Sequence, residues 1–148
     1  KSSITSALIG YLNSRDLAYK IAAPTGRAAR IIGRKTKCLN STIHSLIYNV
    51  DVNPETGEVT FSLKLNEDAD RTIFIIDEAS MITTVVNNNE LTLFKSSNSL
   101  LSDLIKFIKA GNNRIIAEQR HLAVHQAAAI WHHCQSRRKR KIYFYFSS

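Results

Sequence analysis

Two adjacent carboxylates, Asp77 and Glu78, follow directly on Ile73-Phe74-Ile75-Ile76. An apolar, β-branched run of this length fits a strand buried on both faces, as in a parallel sheet covered by helices. Carboxylates at the C-terminal end of such a strand sit where open α/β sheets bind ligands. There Asp77 can hold a hydrated Mg²⁺, and Glu78 can orient or deprotonate an attacking water. This is the Walker B pattern of a nucleoside triphosphatase. A strand end with a solvated acidic turn has the same letters, so the neighbouring segments decide between the two.

The chain opens Lys1-Ser2-Ser3, followed by Ile4, Leu8, Ile9 and Leu12 at helical spacing. A phosphate-binding loop ends in Gly-Lys-[Ser/Thr] at the start of a helix. On that reading Lys1 reaches the β/γ-phosphates and the Ser2 hydroxyl binds Mg²⁺; the plainer reading is a terminus with a Ser cap. Further on, Ile21-Ala22-Ala23 runs into Pro24-Thr25-Gly26 and a helix bearing Arg27, Arg30 and Arg34. Pro24 forces an extended approach, and Gly26 permits close backbone approach to a ligand. Ser41-Thr42-Ile43-His44-Ser45-Leu46 is a polar turn entering another helix, with Ser41 or Thr42 as cap.

Taken in order, Lys-Ser, Ala-Pro-Thr-Gly-Arg-Ala-Ala, Ser-Thr-Ile-His-Ser-Leu and Ile-Ile-Asp-Glu-Ala-Ser-Met-Ile resemble the motifs of RecD-like superfamily 1 DNA helicases, which move 5′ to 3′. The resemblance covers about residues 1–116. It implies an α/β P-loop NTPase (RecA-like) fold, a parallel sheet flanked by helices, that is incomplete at both ends. It also implies ATP and Mg²⁺ as cofactors. Lys1, Ser2 and Ser3 would belong to the nucleotide site, Ser2 and Asp77 to the metal, and Glu78 would be the catalytic acid. Pro24, Thr25, Gly26, Arg27, Thr42 and His44 would lie along single-stranded DNA. Repair or recombination subunits are implied as further partners. Arg27 has a solvated helix face as its plainer reading, and His44 a helix-start residue bonded to nearby backbone. Without the P-loop glycines, the phosphate-sensing motif and a second motor domain, ATPase activity of this chain alone is expected to be negligible.

These residues need a sheet to position them. The pattern predicts a helix to about Asn13, a strand near Ala18–Ala23, and helices near Gly26–Arg34 and Thr42–Tyr48. A turn follows at Asn53–Gly57, between strands in which Val59, Phe61, Leu63 and Leu65 alternate with polar residues. Residues 66–71 read as an acidic loop, and Asn87–Asn89 and Ser96–Ser99 as polar excursions. Leu100–Ala110 is amphipathic, with Gly111 as its stop, and Arg114–Ala117 reads as a core strand.

After that strand the resemblance fails, because Ala117-Glu118-Gln119-Arg120 stands where the family has Gly-Asp and then Gln-Leu-Pro. Gln119 is therefore given no phosphate-sensing role. We divide the chain into a partial motor domain, 1–117, and a divergent basic tail, 118–148. A one-base shift across Leu122–His125 can encode Leu-Pro-Ser-Ile, so a displaced frame, disorder and a native amphipathic helix over His121–Cys134 are all readings of the tail. Consecutive His132, His133 and Cys134 fan around a helix and make a poor zinc site. Tyr143-Phe144-Tyr145-Phe146 can pair as a strand or aggregate.

Composition bounds the rest. At 148 residues and 44% hydrophobic, the chain suits one globular α/β domain. No apolar run is long enough to span a membrane, no secretory signal is visible, and Cys38 and Cys134 read as free thiols of a cytoplasmic protein. The net charge of +8 is concentrated late. Residues 1–113 hold 13 cations and 11 acids and the remainder 7 and 1, so total charge gives the motif-bearing part no separate claim to DNA. Two other functions fit parts of the pattern: a P-loop ATPase with a non-DNA partner, and a non-enzymatic nucleic-acid-binding fragment acting through Arg137–Lys141.

Overall fold

The computed structural model describes residues 2–83, 99–119 and 142–146, and side chains within 5–83 and 99–117. The elements are α1 (Ser2–Ser14), β1 (Tyr19–Ala23), α2 (Gly26–Thr36), β2 (Asn40–Thr42), α3 (Ile43–Ile47), β3 (Tyr48–Val52), β4 (Val59–Leu63), β5 (Ile73–Ile76), α4 (Leu100–Ala110), β6 (Arg114–Gln119) and β7 (Ile142–Phe146), with a 3₁₀ turn at Ala79–Met81. Five strands form one sheet in the order β2-β1-β5-β6-β7, every neighbouring pair parallel. The hairpin β3-β4 stands apart as a two-stranded antiparallel sheet.

Alternation along the strands sorts the core into two layers. Ile21, Ile73 and Ile75 face α1 and α2, where Ile9, Leu12 and Ile32 are buried against them. Ala22, Phe74, Ile76, Ile115 and Ala117 face the other way, onto Ile43 and Ile47 of α3 and Leu104, Ile105, Phe107 and Ile108 of α4. All four residues of β5 are buried, which is why its sequence is continuously apolar rather than alternating. Burying side chains such as Phe74, Ile76 and Leu104 stabilises the fold by about 1.5–3 kcal/mol each.

Short connections turn the helices back across the sheet. α1 ends in a left-handed Asp16, with Leu17 N–H bonded to Leu12 O and Asp16 N–H to Asn13 O, a Schellman-type stop. The chain enters β1 only a few residues later. α1 therefore runs opposite to the strands, and its first turn, Ser2 and Ser3, stands at the end of the sheet where the strands finish.

The elements expected from sequence are present, with differences. α3 stops at Ile47, because Tyr48 takes extended backbone and starts β3. Of the alternating set Val59, Phe61, Leu63 and Leu65, only Phe61 packs on the core, and Leu65 lies beyond the strand, 86% exposed. Gly111 follows α4, but at ordinary negative φ; the left-handed residue is Asn112. Gly111 is instead crowded, since a Cβ there would meet the side-chain amides of Asn113 and Asn66 at 2.5 and 2.6 Å. Ile142–Phe146 forms a strand, continuing the parallel sheet beside β6. Lys1, the polar excursion before Ser99, the His121–Cys134 segment and the Arg137–Lys141 run lie outside the described residues.

Candidate functional site

Asp77 is the first residue past β5, and its N–H still donates to Ala22 O at 3.0 Å. The ladder thus extends one step beyond the strand, and alternation puts Asp77 on the face of Ile73 and Ile75, the face covered by α1. Its side chain is 2% exposed. One carboxylate oxygen, Oδ1, accepts the Glu78 N–H at 2.9 Å. Glu78 itself is half-buried and adopts left-handed backbone, φ 53° and ψ 40°, uncommon for a residue with a side chain. The 3₁₀ turn closes behind it, with Met81 N–H bonded to Glu78 O. This kink ends the strand abruptly.

A divalent metal fits Asp77. Mg²⁺ keeps most of its waters and takes one or two protein carboxylates beside phosphate oxygens. Among the described residues no three His, Cys, Asp or Glu side chains converge. A metal bound there would neutralise charge on a triphosphate. Ser2 and Ser3 start α1, whose orientation brings its N-terminus to the same end of the sheet, although their side chains, like Lys1, lie outside the described set.

The second group of residues lies beside the first. β1 sits between β5 and β2, pairing Ala22 with both Ile76 and Ser41, and Ala23 with Thr42. Pro24-Thr25-Gly26 and Thr42-Ile43-His44 therefore leave neighbouring strands side by side, one strand along from Asp77. Both threonines are N-caps. Thr25 Oγ1 accepts the Ala28 N–H at 3.2 Å and Thr42 Oγ1 accepts the Ser45 N–H at 3.1 Å. Capping uses a lone pair of each hydroxyl. Thr42 also donates to Ser45 Oγ at 3.0 Å. Sequence reading named Ser41 or Thr42 as the second cap, and the cap is Thr42. Gly26 is exposed, and a Cβ added there would meet nothing within 4 Å, so open space lies over the start of α2.

His44 is half-buried, its ring 6.0 Å from that of Tyr48. Burial lowers its pKa below the usual histidine value, favouring neutral imidazole near pH 7. A neutral imidazole there can offer a ligand a hydrogen bond or a stacking contact. Arg27 is exposed on the first turn of α2.

Sequence reasoning missed the polarity of charge within the motif-bearing part. Residues 26–37 hold five cations, Arg27, Arg30, Arg34, Lys35 and Lys37, and no acid. Eight of the eleven acids in residues 1–113 lie on the hairpin (Asp51, Glu55, Glu58), on the 66–71 loop (Glu67, Asp68, Asp70) and at the end of β5 (Asp77, Glu78), so a sum over residues 1–113 cancels what the fold largely keeps apart. A windowed charge count would have found the run.

A helix-covered parallel sheet with an Asp-Glu pair at the end of a central strand is the arrangement of the α/β P-loop fold. The AAA domain family matches residues 1–105, and the chain belongs to it. It is a P-loop, helicase-like domain, for which a nucleotide and a divalent metal are the implied ligands. No curated protein matches the chain.

Proposed function

We propose that this chain is a motor domain of an ATP-dependent DNA helicase of the RecD-like, 5′-to-3′ class. ATP with Mg²⁺ would bind at Lys1, Ser2, Ser3 and Asp77, and Glu78 would orient the attacking water. Single-stranded DNA would lie across Pro24-Thr25-Gly26 and Thr42–His44. Repair or recombination proteins are the partners such a motor would serve. The observation that carries the reading is adjacency. The acid pair ends β5, the Pro-Thr-Gly turn ends β1, and Thr42 ends β2, three consecutive strands of one sheet. A change of nucleotide at Asp77 has only β1 to cross before it reaches the DNA surface. Polar turns at strand ends suit sequence-independent phosphate contact.

The test is fluorescence anisotropy of a labelled oligo(dT) with the full chain and with Gly26→Ala. Alanine fits the open space and favours the helix, so folding stability should hold or rise slightly. It should obstruct a phosphate approaching the backbone and weaken binding about tenfold, the equivalent of one lost charged hydrogen bond. Binding unchanged in Gly26→Ala but lost when Arg137–Lys141 are replaced by glutamine would assign it to the basic tail. Replacement is cleaner than removing residues 118–148, because β6 runs to Gln119 and β7 pairs with it.

A further inference from the structure

α2 and the edge strand β2 enclose an open groove of about 530 Å³ whose walls carry Gly33, Arg30 and Arg34 on one side and Asn40, Ser41 and Thr42 on the other. It begins at Gly26 and Thr42, the two turns described above, and runs down the outer flank of the sheet. We propose that this groove is a track for the phosphodiester backbone of single-stranded nucleic acid, with Arg30 and Arg34 contacting successive phosphates outside the strand-end site. The proposal rests on the nucleic-acid reading of those turns and extends it to a second, lateral surface.

Three observations support it. First, the charge is unopposed. Among the described residues no carboxylate lies within ion-pair distance of Arg27, Arg30, Arg34, Lys35 or Lys37, the ion pairs being Lys20–Asp68, Arg71–Asp70 and Lys106–Asp103. Second, the arginines form a stripe. Arg27, Arg30 and Arg34 are spaced by three and four residues, so they lie on one face of α2, Arg30 and Arg34 about 6 Å apart along its axis. All three are exposed, whereas Ala28, Ala29 and Ile32 take the buried face. Third, the opposite wall is polar and narrow-sided. Gly33 has no Cβ where the Asn40 amide now sits, the Asn40 Nδ2 being 1.7 Å from the place a Cβ would take. Asn40, Ser41 and Thr42 line it with small hydrogen-bonding side chains, which suit phosphate and sugar oxygens rather than base edges. A free nucleotide would leave the length of the stripe unused.

The test measures binding of a labelled oligo(dT) of about 20 nucleotides to the full chain as a function of KCl concentration. Each phosphate contact on a single strand contributes about 0.7 to the salt slope, so Arg30→Ala/Arg34→Ala should lower it by about 1.4 and weaken binding about 25-fold at 0.1 M salt. Arg30→Lys/Arg34→Lys should retain most of the slope. The control pair Arg71→Asn/Arg114→Gln removes the same charge at the opposite end of the sheet and should change little; asparagine tolerates the left-handed backbone of Arg71. An equal drop in both pairs would make the effect one of overall charge and overturn the groove. If Gly26→Ala weakens binding while Arg30→Ala/Arg34→Ala leaves the slope unchanged, the lateral track is wrong and the strand-end reading survives. A wild-type chain that binds no oligonucleotide overturns both.

Discussion

Glu78 offers a test of whether the site holds backbone strain. It sits at φ 53°, ψ 40° immediately after the buried Asp77. The left-handed region costs a residue with a Cβ about 1–2 kcal/mol relative to glycine. A glycine also loosens the unfolded chain, which costs about 0.4–1 kcal/mol on folding. The comparison that isolates backbone is Glu78→Gly against Glu78→Ala, since both lose the carboxylate and its contacts alike. Glycine should be the more stable of the two by about 0.5–1 kcal/mol. At an ordinary negative-φ position the sign is reversed, so direction alone decides. Urea unfolding followed by circular dichroism gives the midpoints, with the slope m unchanged between variants. If Glu78→Ala equals or exceeds Glu78→Gly, the left-handed kink stores no strain. Both variants, like Glu78→Gln, remove the carboxylate to which the proposed function gives the attacking water.

Two further predictions concern the walls of the site. Tyr48 Oη donates to the buried Asp103 Oδ2 at 2.7 Å, tying the base of the hairpin to α4, with Lys106 3.6 Å from the same carboxylate. Tyr48→Phe should cost about 2 kcal/mol and lower Tm by about 4–8 °C, and a loss below about half a kcal/mol in a thermal melt would contradict that tie. His44 is kept neutral by burial, so on acidification the unfolded chain takes up a proton before the folded one does. Its contribution is whole above the unfolded histidine pKa of about 6.5 and falls as pH drops from there to the lower folded value. A His44→Gln variant should show a flatter stability–pH curve over that interval in urea midpoints, and an unchanged curve would exclude His44 as the source.

What the sequence shows of this molecule depends on how local the cause is. The β5 run announces a strand buried on both faces because both sheet surfaces demand apolar residues at every position. The Thr25 and Thr42 turns announce helix starts because capping needs a hydroxyl a few residues from the N–H it accepts. The α3 boundary is less legible, since a five-residue helix is held by its contacts with α4 and β2 rather than by propensity. The Val59–Leu65 alternation suggests a half-buried strand, but the hairpin stands off the core and leaves Val50 and Val52 about 60% exposed. The candidate site divides in the same way. Asp77 and Glu78 are readable from their place at a strand end, whereas the adjacency of the three turns and the groove beside α2 follow from strand order. Strand order is set by pairings between residues far apart in the chain.

Those pairings also govern how the molecule assembles. In the main sheet Tyr19 pairs with Ile73, Ile73 with Arg114, and Ile115 with Ile142, each contact closing a long loop before any neighbour rewards it. Among the described residues the only local strand pairing is the β3-β4 hairpin, closed by Asn53–Gly57, which can form in about 1–10 μs. The strand pairing quickest to form is therefore one that leaves Val50 and Val52 exposed, and β5 gains its partners on both sides only through longer closures. Until they arrive, Ile73–Ile76 is an apolar strand with two open edges, a segment exposed to self-association during refolding. The Asp77-Glu78 pair that ends it is then also its gatekeeper, placing charge at the tip of the strand before the sheet around it is assembled.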